Sequence, residues 1–154
     1  MRSLRAPYML LLPVVAVATT GCQSLGVNES NSFFVGRYTQ YVLGEIPNQY
    51  ADLSNPLPVS SENISDGKKL YQAQCPVCHG VSGEGDGPAG KLLVPSPANL
   101  AITRRLPVAT DAFIFWTLSE GGEPFGTAMP AFGNQLTDKE IWQIALYINT
   151  GFSL

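Results

Sequence analysis

Charge is scarce in this 154-residue chain, at 14% of residues, and so are potential metal ligands: it has one histidine, three cysteines and three methionines. With nine basic and twelve acidic side chains, no basic patch is available for a phosphate backbone, so nucleic acid is excluded as a partner. Long apolar runs are missing too. The run from Met9 to Ala18 falls short of the roughly 20 residues needed to span a bilayer. No internal repeat occurs. By contrast, glycine (15) and proline (12) are plentiful, which predicts short helices joined by long loops. The apolar share of 45% is enough for one core.

The N-terminus has the layout of an export signal over residues 1–21: Arg2 and Arg5, the apolar run, then Thr19-Thr20-Gly21 before Cys22. This stretch resembles a bacterial lipoprotein signal, although Thr19 stands where that pattern prefers Leu. The resemblance implies that Cys22 becomes a lipid anchor, with the rest of the chain exported to the periplasmic side of a membrane. Gln23, where an inner-membrane retention signal would show Asp, leans toward the outer membrane. Without residues 1–21 the chain keeps seven basic and twelve acidic side chains, so a basic partner surface suits it.

Residues 22–62 show no sustained period and carry Pro47, Pro56 and Pro58. They read as a spacer or, given Phe33, Phe34, Tyr38, Tyr41 and Tyr50, as an arm that packs. The compact domain is expected over 63–154. Ser65 and Asp66 suit the start of a first helix carrying Leu70 and Tyr71 and running into Cys75. Thr110-Asp111 suits the cap of a second helix, Ala112 to Leu118, ended by Gly121-Gly122. Thr137 and Glu140 form a capping-box pair before a third helix, in which Ile141, Ile144, Ala145 and Ile148 share one face and Gly151 follows. Three helices enclose little volume by themselves, and a large apolar cofactor at the centre would complete the core.

Cys75-Pro76-Val77-Cys78-His79 is the attachment pattern of a covalent c-type haem. Two thiols three positions apart can form thioethers with the vinyl groups on one edge of the ring, and the next residue brings an imidazole to the iron. The same residues admit other readings. A thioredoxin-like pair would need an α/β context, half of a zinc site would need two further ligands, and a disulfide would leave His79 without a role. Met129 is the only methionine outside the signal region. It lies in a Gly- and Pro-rich loop, Gly126-Thr127-Ala128-Met129-Pro130, 50 positions after His79. Thioether is a recognised sixth haem ligand, and a core-filling Met is the bland alternative.

The segment from about Ser65 to Phe152 resembles the class I cytochrome c family. The resemblance is carried by the C-P-V-C-H motif, the Gly83-Glu84-Gly85-Asp86-Gly87-Pro88-Ala89 loop, Pro95-Ser96-Pro97-Ala98-Asn99-Leu100, the Thr127-Ala128-Met129-Pro130 segment and the closing helix with Trp142 and Tyr147-Ile148. It implies an all-α cytochrome c fold around one haem c, held by Cys75 and Cys78 with His79 and Met129 on the iron. It implies that Gly67 and Tyr71 lie where the first helix crosses the last, Gly67 allowing close approach to Tyr147. The Pro88 carbonyl is implied as acceptor for the outer nitrogen of His79, with Pro95 as second choice. Asn99, Trp116 and Arg104 or Arg105 are implied near the propionates, or else the arginines form a solvated face.

An iron with both axial positions filled suits one-electron transfer rather than substrate chemistry, so the expected role is non-enzymatic. Val77 and the loops flanking Met129 are candidates for the rim at which a partner docks. The first expectation is a membrane-held carrier moving electrons between redox proteins. The alternatives are an electron-transfer subunit of a larger membrane oxidoreductase complex, or a haem enzyme or gas sensor with a labile Met129.

Overall fold

The computed structural model describes residues 46–153. The expected signal, Cys22 and the aromatic residues of the arm before Ile46 lie outside these residues. Six α-helical elements occur in the described chain: α1 (Asn48–Ala51), α2 (Ser61–Gln74), α3 (Pro76–His79), α4 (Leu100–Thr103), α5 (Asp111–Glu120) and α6 (Asp138–Asn149). Short 3₁₀ turns at Gly90–Leu92 and Glu123–Phe125 complete an all-α architecture.

The first long helix starts earlier than Ser65. Its cap is Ser60, extended at φ −127° and ψ 154°, whose side chain accepts the Asn63 N–H at 3.2 Å. Glu62 adds a negative charge at the positive end of the helix dipole. Ser65 and Asp66 therefore lie inside α2, where Asp66 accepts from Lys69 at 2.9 Å. The order also reaches back beyond residue 63: Ile46, Tyr50 and Leu57 pack on the core, so the described part of the arm packs rather than hangs free.

The other two caps match the sequence. Thr110 caps α5, which ends at Gly121. Thr137 and Glu140 form a reciprocal capping box at the start of α6. Every residue from Ile141 to Ile148 is buried, because α6 lies between α2 and α5. On one side α2 crosses it so closely that a Cβ on Gly67 would run into the carbonyl of Gln143. The close approach is thus to Gln143, one helical turn before Tyr147. Tyr71 then meets Tyr147 at 5.5 Å between ring centroids, and Phe152 packs edge-on against both. On the other side Phe115 of α5 stacks on Trp142 at 4.3 Å.

Helix α5 is apolar almost all round, with Ala112, Phe113, Ile114, Phe115, Trp116 and Leu118 buried. A helix of that kind must be covered on more than one side. Phe115 faces α6 and also Tyr50 of the arm. Phe113, Ile114, Trp116, Thr117 and Leu118 face a cavity.

Candidate functional site: an apolar cavity between a cysteine–histidine turn and a methionine loop

The motif Cys75-Pro76-Val77-Cys78-His79 folds as one helical turn following α2. Pro76 opens α3 as its first residue, a position where the missing N–H costs nothing. A turn this short leaves most of its carbonyls without helical partners: Pro76 keeps the one helical bond, from Gly80, and the glycine-rich loop supplies donors for the other three. The carbonyls of Pro76, Val77, Cys78 and His79 accept from Gly80, Ala89, Gly87 and Gly85 at 2.9, 2.9, 3.1 and 2.8 Å. A Cβ on Gly87 would collide with the Pro76 and Cys78 carbonyls. The loop motif therefore serves to lay backbone against backbone. From the other side the Tyr71 hydroxyl, fully buried, donates to the Gly80 carbonyl at 2.7 Å.

The turn faces a cavity of ≈ 240 Å³ whose wall includes Cys75, Cys78, His79 and Met129. One water occupies roughly 30 Å³ in the liquid, so the space suits a ring system rather than isolated solvent. The four residues picked out by the sequence thus share one chamber, walled largely by aliphatic and aromatic side chains of α5 and the 93–100 segment.

His79 is oriented by a carbonyl, as expected, but not by that of Pro88. Its Nδ1 lies 3.0 Å from the Ala98 oxygen. A carbonyl only accepts, so Nδ1 donates and the ring is held in the tautomer that has its lone pair on Nε2. Pro88 is exposed and lies outside the cavity wall, because its loop is spent on the α3 carbonyls. Pro95 and Pro97 do line the wall. They precede Ala98 in a segment tied back by the Ala101 N–H to the Gly83 carbonyl at 3.2 Å.

Met129 reaches the cavity wall on a closed loop. The Gly122 N–H donates to the Met129 carbonyl at 2.9 Å, and the Thr127 N–H returns to the Gly122 carbonyl at 3.0 Å. Beyond it, the N–H groups of Phe132 and Gly133 donate to the Leu118 and Ser119 carbonyls at 2.9 and 3.0 Å. The last turn of α5 thereby fixes where the thioether stands.

The residues implied near acidic substituents separate. Arg104 is in the cavity wall, its Nη1 donating to the Asn149 carbonyl at 3.2 Å while its Nε is buried without a hydrogen-bond partner. Arg105 is exposed and off the wall, and Asn99 spends its side chain capping α4 through the Ile102 N–H. Trp116 lines the cavity, but its indole N–H goes to Glu120 at 2.9 Å. Sequence reasoning missed Ala98 and Glu120. A backbone acceptor has no side-chain signature, and a helix-end glutamate is the commonest of surface residues.

Chemically, the arrangement does not suit a reactive dithiol. Burial pushes the Cys75 thiol up to about 12, with Cys78 adding to the shift, whereas thiol redox catalysis needs a lowered value. No disulfide joins Cys75 and Cys78. Among the described residues no three His, Cys, Asp or Glu side chains gather as metal ligands, which removes the zinc reading there. Two neighbouring thiols, an oriented imidazole and a thioether around one apolar chamber, with an orphaned guanidinium N–H in its wall, fit a haem with anionic substituents.

Residues 62–148 match the family model for cytochrome c oxidase, cbb3-type, subunit III. A thiosulfate dehydrogenase of Stutzerimonas stutzeri is 29% identical over 100 residues, which are 62% of this chain and 29% of that protein. A solved chain of the Kuenenia stuttgartiensis reducing HAO-like protein complex superposes with a TM-score of 0.54 at 27% identity, covering 62% of this chain and 46% of that one. This chain thus spans less than half the length of either relative. Among the described residues no helix is long and apolar enough to cross a membrane. The chain belongs to the family of cbb3-type cytochrome c oxidase subunit III, a family of respiratory redox subunits.

Proposed function

We propose, from membership in that family, that the chain is a one-electron transfer subunit of a larger respiratory oxidoreductase, bearing one haem c. The observation that carries this is the single cavity in which Cys75, Cys78, His79 and Met129 meet. In this reading Cys75 and Cys78 would hold the group through thioethers, and His79 and Met129 would bind its iron. When bound, the group supplies reversible gain and loss of one electron. The protein's part is to orient and to enclose. The Ala98 carbonyl keeps His79 in one tautomer and raises its basicity. The Gly122–Met129 backbone hydrogen bond fixes the loop that carries the thioether. The apolar wall excludes water, and Arg104 offers an N–H to an acidic substituent. With His79 and Met129 both engaged, the site would suit electron transfer rather than substrate turnover.

Membership in the oxidase-subunit family and the likeness to a chain of an HAO-like complex support the complex-subunit reading over the roaming carrier. The exported, lipid-anchored state at Cys22 remains part of the proposal. Mass measurement of the protein from native membranes tests it: one haem added and no alkylatable thiol at Cys75 or Cys78 is the expected result. Two titratable thiols would overturn the cofactor assignment. Co-purification with a large redox partner after mild solubilisation is expected, and recovery alone would return the carrier reading to first place.

A further inference from the structure

Residues 46–57 lie as a strap along α5, tied at both ends of the helix. At one end the Asn55 N–H donates to Asp111 Oδ2 at 2.9 Å. At the other, the Tyr50 hydroxyl and the Gln49 amide donate to Glu120 Oε1 at 3.0 and 3.3 Å. The second oxygen of the same carboxylate, Oε2, accepts the indole N–H of Trp116 at 2.9 Å. Trp116 is part of the cavity wall, only 7% exposed and held edge-on by Phe113 and Phe125. One carboxylate therefore joins the strap to the chamber, through Tyr50 and Gln49 on one side and Trp116 on the other.

Hydrogen bonds to an ionised acceptor draw on its charge and are stronger than neutral ones. Glu120 and Gln49 are exposed and only the Trp116 end of the network is buried, so the carboxylate acts on the chamber from its outer side, through the bond to the indole. A carboxylate beside a cavity wall favours positive charge inside the cavity, and does so more when its own charge is less shared. We propose that Glu120 is a positioning residue that makes the midpoint potential of the group in the cavity depend on whether the strap is seated. This rests on the haem-bearing reading above. Seated, Tyr50 and Gln49 spread the carboxylate charge toward the strap. Released, that charge is left on the Trp116 side and the oxidised state is favoured. The strap is the path by which the N-terminal segment joins the domain, so a subunit that grips that segment can retune the electron donor without touching its ligands.

Potentiometric titration of the full-length holoprotein tests this. Tyr50→Phe keeps the ring on Phe115 but removes the donor, and lowers the midpoint potential. Glu120→Ala removes the charge and raises it, by a shift that shrinks in high salt. Tyr50→Phe placed on the Glu120→Ala background produces no further shift. A wild-type potential in Tyr50→Phe, or the same shift on both backgrounds, would overturn the coupling. Should Glu120→Ala not fold, Glu120→Gln keeps an acceptor for Trp116 and still raises the potential, with the tryptophan bands in ultraviolet resonance Raman unchanged. An unshifted potential there overturns the proposal. Haem-free wild-type protein would refute the cofactor reading, whereas haem-loaded variants with unshifted potentials refute only the strap.

Discussion

The imidazole of His79 is held by the backbone of Ala98, 19 residues later, through a 3.0 Å hydrogen bond from Nδ1 to the carbonyl oxygen. Because the acceptor is main chain, the Ala98 side chain is dispensable, and so is Pro88. Pro88→Ala and Ala98→Ser should each leave the visible spectrum and midpoint potential as in the wild type, with stability changed by less than about 1 kcal/mol. A lowered potential in Pro88→Ala would return the acceptor role to that residue.

Met129→Ala should keep the covalent group, since Cys75 and Cys78 are untouched, while the potential falls and carbon monoxide binds the reduced form. The loop closes through backbone bonds of Gly122 and Thr127, so the variant should fold. Carbon monoxide difference spectra at neutral pH check this. An unreactive variant with an unshifted potential would remove Met129 from the ligand set.

Gly67→Ala places a methyl group against the Gln143 carbonyl where α2 crosses α6. Two helix backbones cannot yield as a side-chain tip can, so a loss at or above the usual overpacking cost of about 1–3 kcal/mol is expected. Denaturant midpoints of the holoprotein read it directly, and a midpoint equal to the wild type would contradict the crossing geometry.

Acid sensitivity of α6 should trace to Glu140. The Thr137 backbone N–H, then its hydroxyl, hold that carboxylate below its ordinary value of 4.5. A group with a depressed folded-state value stabilises above its unfolded value and loses that contribution as pH falls through the folded one. Glu140→Gln should therefore flatten the stability profile below about pH 4.5 and leave the neutral-pH profile shape unchanged. Thermal unfolding across pH 3–7 (roughly the carboxylate range) checks this, and parallel curves for the two proteins would assign the acid loss elsewhere.

Much of this was legible from residues alone wherever the cause is local. Thr110, Thr137 and Glu140 cap helices through atoms within three positions of themselves, so the sequence sufficed. Ser60 and Ser65 are both plausible caps by residue type, and only the extended chain at Ser60 decides between them. The four-residue helices α1, α3 and α4 have too few residues to show a period. The cysteine–histidine spacing and the isolation of Met129 likewise made these residues legible as candidate ligands, because residue type and spacing are properties of the chain.

Long-range acceptors are another matter. Which carbonyl meets His79, which cation lies in the cavity wall and where the Trp116 indole turns depend on how loops from four parts of the chain close on one another. By itself the sequence determined the helices with local caps, the motif and the set of candidate ligands. Tertiary structure alone decided that Ala98 replaces Pro88, that Arg104 rather than Arg105 lines the chamber, and that Glu120 ties the strap to its wall. The reason is physical: a cap or a CxxCH turn is satisfied within a few residues, whereas a buried donor takes whichever acceptor the packed chain delivers.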